Sequence, residues 1–156
     1  MKAIKKDKGN KTPPMQKKKK ITKTRAKKRA WDAFSIYIRT RGTKPVWPEG
    51  REGRCVTCKR NYNFKQLQAG HFIPGRMNSV LFHEDLVHSQ CMSCNMHLAG
   101  NPRAYDRFMR ENYSPDAIEE FDKLPNVTKK YSVEELLDLE QYYKNKTKEI
   151  LDNETI

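Results

Sequence analysis

Apolar residues near the start of the chain follow a helical repeat. Between about Thr22 and Arg41, the residues Trp31, Phe34 and Ile38 fall on one face, and basic residues occupy the others. This pattern predicts a helix whose aromatic stripe packs in a core rather than serving as a platform for stacked bases.

The helical repeat is lost in the central part of the chain. A loop is predicted after the first helix, because turn-forming residues are frequent there, namely Gly42, Pro45, Pro48 and Gly50. From Cys55 to about Val87, aromatic and β-branched residues are interrupted by glycine and proline. We interpret this part as a short twisted hairpin with an irregular connection. A helix should begin at or near Cys91 to Cys94 and pause at Gly100.

Two helix starts are predicted beyond this pause. Asn101 precedes Pro102 and Ser114 precedes Pro115. The first residue of each pair is suited to cap a helix, and proline is favoured at the first helical position.

The last predicted helix begins at a capping box formed by Ser132 and Glu135, and it should run to about Leu151. Its apolar residues lie at heptad-like spacing, which allows either packing onto the parent domain or a dimer contact. These residues are Leu136, Leu139, Tyr143 and Ile150.

At 156 residues and 36% hydrophobic content, the chain can hold one compact domain with appendages. No segment is long and apolar enough to suggest a membrane span. We divide the chain into a basic arm over 1–21, a helix and linker over 22–50, a cysteine-bracketed core over 51–112 and a helical region over 113–156.

The positive charge is concentrated at the N-terminus. Residues 1–30 contain 14 Lys and Arg and one acid, Asp7, whereas the remaining Lys, Arg, Asp and Glu balance. A segment so rich in lysine and poor in apolar residues is expected to be disordered when free and to bind a polyanion such as DNA through its phosphates. A localisation signal or a solvated charge run are the alternatives. The expected DNA contacts are Lys17, Lys18, Lys19, Lys20, Arg25, Lys27, Lys28 and Arg29.

Four cysteines form two Cys-x-x-Cys pairs, Cys55 with Cys58 and Cys91 with Cys94. Paired spacing of this kind is typical of a structural Zn²⁺ site with a closed tetrahedral sulfur shell. Two disulfides are disfavoured, because the sequence shows no apolar secretory stretch and cysteines so close in sequence pair only under strain. A redox or metal-free role is the remaining alternative. We predict one structural Zn²⁺.

The candidate catalytic residues lie between and beside these pairs. His71, in the run AGHF, is expected at the end of a hairpin strand, and Asn95 directly follows the last cysteine. A strand-end histidine and a polar ligand on the following helix form the ββα-metal arrangement of HNH-type nucleases. In such a site a neutral imidazole accepts a proton from the water that attacks phosphorus, while Mg²⁺ or Mn²⁺ stabilises the phosphate and the leaving 3′ oxygen. The structural alternatives are a packed imidazole for His71 and a helix cap for Asn95.

The predicted fold class is a small α+β protein. Its core would be a zinc-stapled ββα-metal unit, HNH-like or treble-clef-like, with flanking helices and a disordered basic N-terminal arm.

The runs AGHFIPGR and HEDLVHSQCMSCNMHLAGN resemble the NinG (Rap) family of lambdoid phages, closely over about residues 51–105 and more loosely elsewhere. The resemblance implies a metal-dependent endonuclease that cuts branched DNA such as Holliday junctions and D-loops. It also implies a homodimer that serves phage recombination in the bacterial cytoplasm, with no membrane partner.

Two positions depart from the wider HNH pattern. Gly70 stands where many of these enzymes have an aspartate that binds the metal, and Leu86 stands at the position of the middle asparagine. Neighbouring residues could replace these ligands, and the candidate co-ligands are His83, Glu84 and Asp85. The secondary catalytic candidates are Asp85, His88 and His97.

Two functions of different classes therefore remain open. The first is an HNH-type endonuclease that uses His71 and Asn95. The second is a non-catalytic zinc-knuckle protein that binds nucleic acid without cutting it, a function favoured by Gly70 and Leu86. Cleavage of a branched DNA would distinguish them.

Overall fold

The computed structural model describes residues 20–46, 48 and 50–154, and these residues form a mixed α+β structure. The expected α+β class is therefore confirmed. The predicted basic arm lies almost wholly outside the described residues, as do the expected DNA contacts Lys17, Lys18 and Lys19.

Two long helices form one side of the structure. Helix α1 spans Lys23–Arg41 and α5 spans Val133–Asn153, close to the predicted bounds. The two helices pack on each other, and Phe34 of α1 meets Tyr143 of α5 with ring centroids 4.7 Å apart. The Ser132–Glu135 capping box is present. Burial of these apolar faces supplies most of the stability of such helices.

The apolar residues at heptad-like spacing on α5 pack against the core of the same chain. Leu136 and Tyr143 are buried, while Leu139 and Ile150 pack partly buried against the same core. The interpretation as packing onto the parent domain is confirmed, so a homodimer, which stays a prediction, would need another surface.

The region predicted as a loop after α1 contains short strands. Strand β1 (Lys44–Pro45) pairs antiparallel with β2 (Arg51–Arg54), which pairs in turn with β3 (Asn61–Asn63). The loop predicted over 42–50 therefore contains one short strand, β1, that the sequence analysis did not predict. Proline is tolerated in β1 because this strand lies at the edge of the sheet.

A hairpin at the centre of the chain confirms the expected strand pair. Strand β4 (Leu67–His71) pairs antiparallel with β5 (Val87–Cys91), with His71 opposite Val87 at one end and Leu67 opposite Cys91 at the other. The irregular connection includes the short helix α2 (Asn78–Leu81). After β5 the chain forms a π-helical turn over Ser93–His97.

Two further helices follow this turn. Helix α3 spans Pro102–Asn112 and α4 spans Pro115–Lys123, with prolines in the first turn as predicted. Ser114 caps α4 through its side chain, which accepts a hydrogen bond from Ala117 N. Asn101 does not cap α3 in this way. It adopts a left-handed conformation with φ 51°, which asparagine tolerates, and its side-chain nitrogen faces Cys94 Sγ at 3.7 Å.

The remaining core lies between α3, α4 and the hairpin connection. Its buried side chains include Leu86, Tyr105 and Met109. None of the helices among the described residues is long and apolar enough to cross a membrane.

Candidate functional site

The four cysteines of the two pairs converge on one point. Their Sγ atoms all lie within 4.8 Å of one another, and Cys58 Sγ is 3.9 Å from Cys91 Sγ. All four are free thiols, so the disulfide alternative does not apply in this structure. Four sulfurs around zinc at about 2.3 Å would be separated by about 3.8 Å, which the observed cluster approaches.

Burial and local hydrogen bonds shift the pKa values of Cys55 and Cys94 in opposite directions. Burial alone would raise the pKa of the Cys55 thiol, but hydrogen bonds from the Thr57 hydroxyl and from backbone amides outweigh it and lower that pKa to about 6. Burial and the nearby Cys55 raise the pKa of Cys94 to about 11, because a second thiolate beside the first is repelled. A central cation would remove that repulsion. The cluster is therefore compatible with a structural zinc site.

The cluster holds the hairpin to its neighbours. Cys91 ends β5, Cys94 lies on the π-helical turn, and Cys55 and Cys58 belong to the turn between β2 and β3. Asn95 directly follows Cys94, so a metal in this cluster would also fix the backbone that carries Asn95.

His71 ends β4, as the sequence predicts. Its Nε2 lies 3.2 Å from the carbonyl oxygen of Leu81, and its ring stacks on Trp31 with centroids 5.1 Å apart. Burial lowers the pKa of His71 below its usual value, the Leu81 carbonyl opposes this, and the Arg76 cation adds to the lowering. The imidazole is thus neutral near pH 7, and because Nε2–H donates to a carbonyl, Nδ1 keeps a free lone pair.

His71 and Asn95 line the same cleft, which has a volume of about 570 Å³. The charged residues among those that line it are all basic, namely Arg39, Lys65 and Arg76. A cleft with three cations and no carboxylate favours a polyanion such as a nucleic acid backbone.

The expected co-ligands lie in other surroundings. Glu84 forms ion pairs with Lys146 and Arg41 and accepts a hydrogen bond from Tyr37, and these contacts lower its carboxyl pKa although burial opposes them. The exposed Asp85 accepts a hydrogen bond from Tyr113 at 3.3 Å.

The ring of His83 packs against Phe121, and Leu86 is buried in the core beside α3. None of His83, Glu84 and Asp85 lines the cleft with Asn95. The structure gives no support to their role as ligands.

His88 is partly buried and lies outside this cleft. Its Nδ1 is 3.1 Å from the Tyr105 hydroxyl, which donates to the carbonyl of Gly70 at 2.8 Å, and its Nε2 is 3.3 Å from the Tyr113 hydroxyl. Because the Tyr105 O–H is donated to Gly70, the Nδ1–H of the neutral His88 ring donates to the Tyr105 oxygen, and Nε2 competes with Asp85 for the single Tyr113 O–H. His88 positions the backbone just before His71 rather than facing the cleft. His97 is exposed at the end of the π-helical turn.

Burial, with a smaller effect of Arg41, lowers the pKa of His88 to about 3. The unfolded chain, with a histidine pKa of about 6.5, then binds more protons than the folded chain between these values. The free energy of unfolding should fall by about 1.4 kcal/mol per pH unit as the pH drops through this window. His88→Gln should show a shallower fall. Urea denaturation of both proteins at about pH 6.5 and about pH 5 measures the difference, and equal slopes would contradict the buried neutral state.

Of the expected DNA contacts that are described, most lie on α1. Lys20, Arg25 and Lys28 are exposed, whereas Lys27 donates to Asn78 Oδ1 at 2.7 Å and Arg29 pairs with the buried Glu140 at 2.8 Å. Lys27 and Lys28 line a second cleft that shares Trp31 and Arg76 with the cleft of His71.

Sequence reasoning missed three residues at the site. Trp31 packs partly buried against the core, as its stripe predicts, but it also stacks on His71 and lies under the Arg76 guanidinium at 4.7 Å, which the sequence did not indicate. Arg76 belongs to the run AGHFIPGR, so its place beside the histidine was a usable signal. Gln90, immediately before Cys91, has its side chain directed at Gly70.

Fold and cluster together define a small α+β protein with a four-cysteine site of the kind that holds zinc. The sequence model described as Bacteriophage Lambda NinG protein matches residues 1–154, and the chain belongs to the NinG family. The family resemblance in the sequence is confirmed.

Individual relatives are more distant. Protein ninG of Escherichia phage lambda is 26% identical over 124 residues, which cover 79% of this chain and 56% of that protein. Protein ninG of Salmonella phage P22 is 26% identical over 127 residues, which cover 81% and 58%. The chain thus spans little more than half the length of these relatives. No solved structure matches it.

Proposed function

We propose that this protein is a metal-dependent, structure-selective DNA endonuclease of the HNH type. Its substrates would be branched recombination intermediates such as Holliday junctions and D-loops, which it would cut as a homodimer in the cytoplasm of the bacterial host. The observation that carries the proposal is the presence of His71 and Asn95 together in the lining of one basic cleft.

The surroundings of His71 suit a general base. The ring is held by the Leu81 carbonyl and by stacking on Trp31, and its free Nδ1 can accept a proton from water. A depressed pKa keeps this nitrogen unprotonated at neutral pH. The hairpin followed by a helical turn also gives the order of elements that a ββα-metal site requires.

Asn95 supplies the oxygen side of the site. Its nitrogen donates to Gln68 Oε1 at 2.8 Å, which leaves Oδ1 available to a hard cation such as Mg²⁺ or Mn²⁺. When bound, such an ion stabilises the scissile phosphate and the leaving 3′ oxygen. Arg39, Lys65 and Arg76 would hold the flanking phosphates.

A cleavage assay tests this proposal. Purified protein is incubated with a labelled four-way junction or a linear duplex of the same sequence, in Mg²⁺, Mn²⁺ or EDTA. We expect cutting of the junction in either metal, little cutting of the duplex, and none in EDTA. Equal cutting of both substrates would remove the structural selectivity from the proposal.

One observation favours a second function, a non-catalytic protein that binds nucleic acid. The cleft has no carboxylate among its lining residues, and Gly70 and Leu86 lack the ligand groups found at these positions in many HNH enzymes. Tight junction binding without cutting in any divalent metal would favour this alternative.

The basic arm should set affinity and not selectivity. Because Ala26 and Ala30 of α1 are buried, the arm is best removed by deleting residues 1–20, which contain nine lysines and one aspartate. We expect weaker binding to all DNA and a log–log salt slope reduced by about 0.9 per lost phosphate contact on duplex. Salt titrations of junction and duplex measure this. Loss of junction preference with an unchanged slope would instead make the arm a recognition element.

A further inference from the structure

Gln90 is a buried amide whose orientation is fixed by its neighbours. Its side chain is fully buried on β5, and its Nε2 donates to the carbonyl oxygen of Gly100 at 2.8 Å and to the Thr57 hydroxyl at 3.2 Å. Because a carbonyl oxygen can only accept a hydrogen bond, the amide nitrogen has to face Gly100. The amide oxygen therefore points away from the Gly100 carbonyl, and no described residue donates a hydrogen bond to it.

This oxygen points at the space beside Gly70. A Cβ built at position 70 would overlap Gln90 Oε1 and would lie 2.9 Å from Asn95 Oδ1, so only glycine leaves room for these two oxygens. Since Asn95 donates through its nitrogen to Gln68, its oxygen faces the same space. Two amide oxygens thus approach each other next to His71, and one of them is a buried acceptor without a donor.

An arrangement of this kind costs free energy unless a positive group satisfies it. Both oxygens carry partial negative charge, and a buried acceptor without a partner is unusual in folded proteins. Oxygen ligands are the ones that Mg²⁺ and Mn²⁺ prefer. A cation bound to both oxygens would remove their repulsion.

We propose that Gln90 Oε1 and Asn95 Oδ1 together bind the divalent cation of this site, with Gln90 replacing the carboxylate that Gly70 does not provide. This inference rests on the proposed endonuclease function, because that function is what requires the cation. Both ligands are uncharged, Gln90 lies buried behind the cleft that Asn95 lines, and that cleft has no acid among its lining residues, so the DNA phosphate has to supply the negative charge. Binding of cation and of DNA should consequently strengthen each other.

The test measures metal binding separately from cutting. In a His71→Ala background, which keeps the DNA intact, Mn²⁺ is titrated into the protein with and without a four-way junction, and free Mn²⁺ is followed by electron paramagnetic resonance. We expect DNA-dependent binding of one Mn²⁺ per chain. Gln90→Met should weaken it by about tenfold or more, whereas Gln90→Glu should retain or strengthen it.

Comparison of Gln90→Met with Gln90→Glu distinguishes a metal-binding role of Gln90 from a purely structural one. If Gln90 acted only through its nitrogen bond to Gly100, both variants would lose that donor and would be equally impaired. Equal weakening by both, or unchanged binding by Gln90→Met, would overturn the inference. Gln141→Met, on the exposed face of α5, is the matched control, and zinc content reports folding. If Gln90→Met loses zinc, the test rests on Gln90→Glu with its zinc intact: retained Mn²⁺ binding supports Gln90 as a ligand, and lost Mn²⁺ binding overturns it.

The outcome also separates this inference from the proposed function. If the wild-type protein cuts junctions and Gln90→Met leaves Mn²⁺ binding unchanged, Gln90 is not a ligand but the proposed endonuclease function stands. Mn²⁺ binding that depends on Gln90 in a protein that cuts no DNA would support the site and overturn the function.

Discussion

His71→Ala should abolish cutting of a four-way junction while leaving junction binding and zinc content nearly unchanged. The imidazole is neutral and oriented in the cleft, where it is the proposed base, and a general base contributes about 10²–10⁴-fold in rate. A loss of this size is measured in single-turnover assays, where binding and product release do not mask the chemical step.

Controls for this variant follow from the structure. His97→Ala removes an exposed histidine from the neighbouring π-helical turn and should cut at nearly the wild-type rate. Undiminished cutting by His71→Ala would move the base elsewhere. Since His71 stacks on Trp31, junction affinity and unfolding temperature should be measured for each variant.

Removal of zinc should unfold the central domain rather than merely inactivate it. Zinc binding to cysteine-rich peptides contributes about 10–16 kcal/mol near neutral pH, which is as large as the whole free energy of unfolding of a typical domain, about 5–15 kcal/mol. The cluster joins β5, the π-helical turn and the turn between β2 and β3, so its loss separates all three.

Native mass spectrometry should find one zinc per chain, and chelation should remove the cooperative unfolding transition. Cys94→Ser should act like chelation, whereas Ser93→Ala, an exposed change between the same two cysteines, should keep the metal. A well-folded protein without zinc would refute this prediction.

Features that depend on neighbouring residues were predictable from the sequence. The cysteine spacing, the Ser132–Glu135 capping box and the end of a strand at His71 are all encoded within a few residues. The predicted cap at Asn101 is the exception. The side-chain nitrogen of Asn101 donates to the nearby Cys94 sulfur, and its side chain makes no capping hydrogen bond to α3.

Contacts between distant residues were not predictable in this way. Glu84 lies in the hairpin connection and was a reasonable ligand, but Lys146, 62 residues away, pairs with it. Trp31 has the spacing of a core residue, and only the packing of α1 on β4 brings it to His71. Gln90 gave no signal in the sequence, because its role depends on Gly70 in the paired strand and on the Gly100 carbonyl.

We expect the cleft of His71 and Asn95 to hydrolyse a phosphodiester bond with the 3′ oxygen as leaving group. The most direct test is to isolate the nicked duplexes that form when the wild-type protein cuts a four-way junction in Mg²⁺ and to treat them with DNA ligase. Attack of water on phosphorus with this leaving group gives a 5′ phosphate and a 3′ hydroxyl, so the nicks should be sealed without further treatment. Nicks that ligase cannot seal, or an intact junction in Mg²⁺ and Mn²⁺ with protein that contains its zinc, would contradict the account.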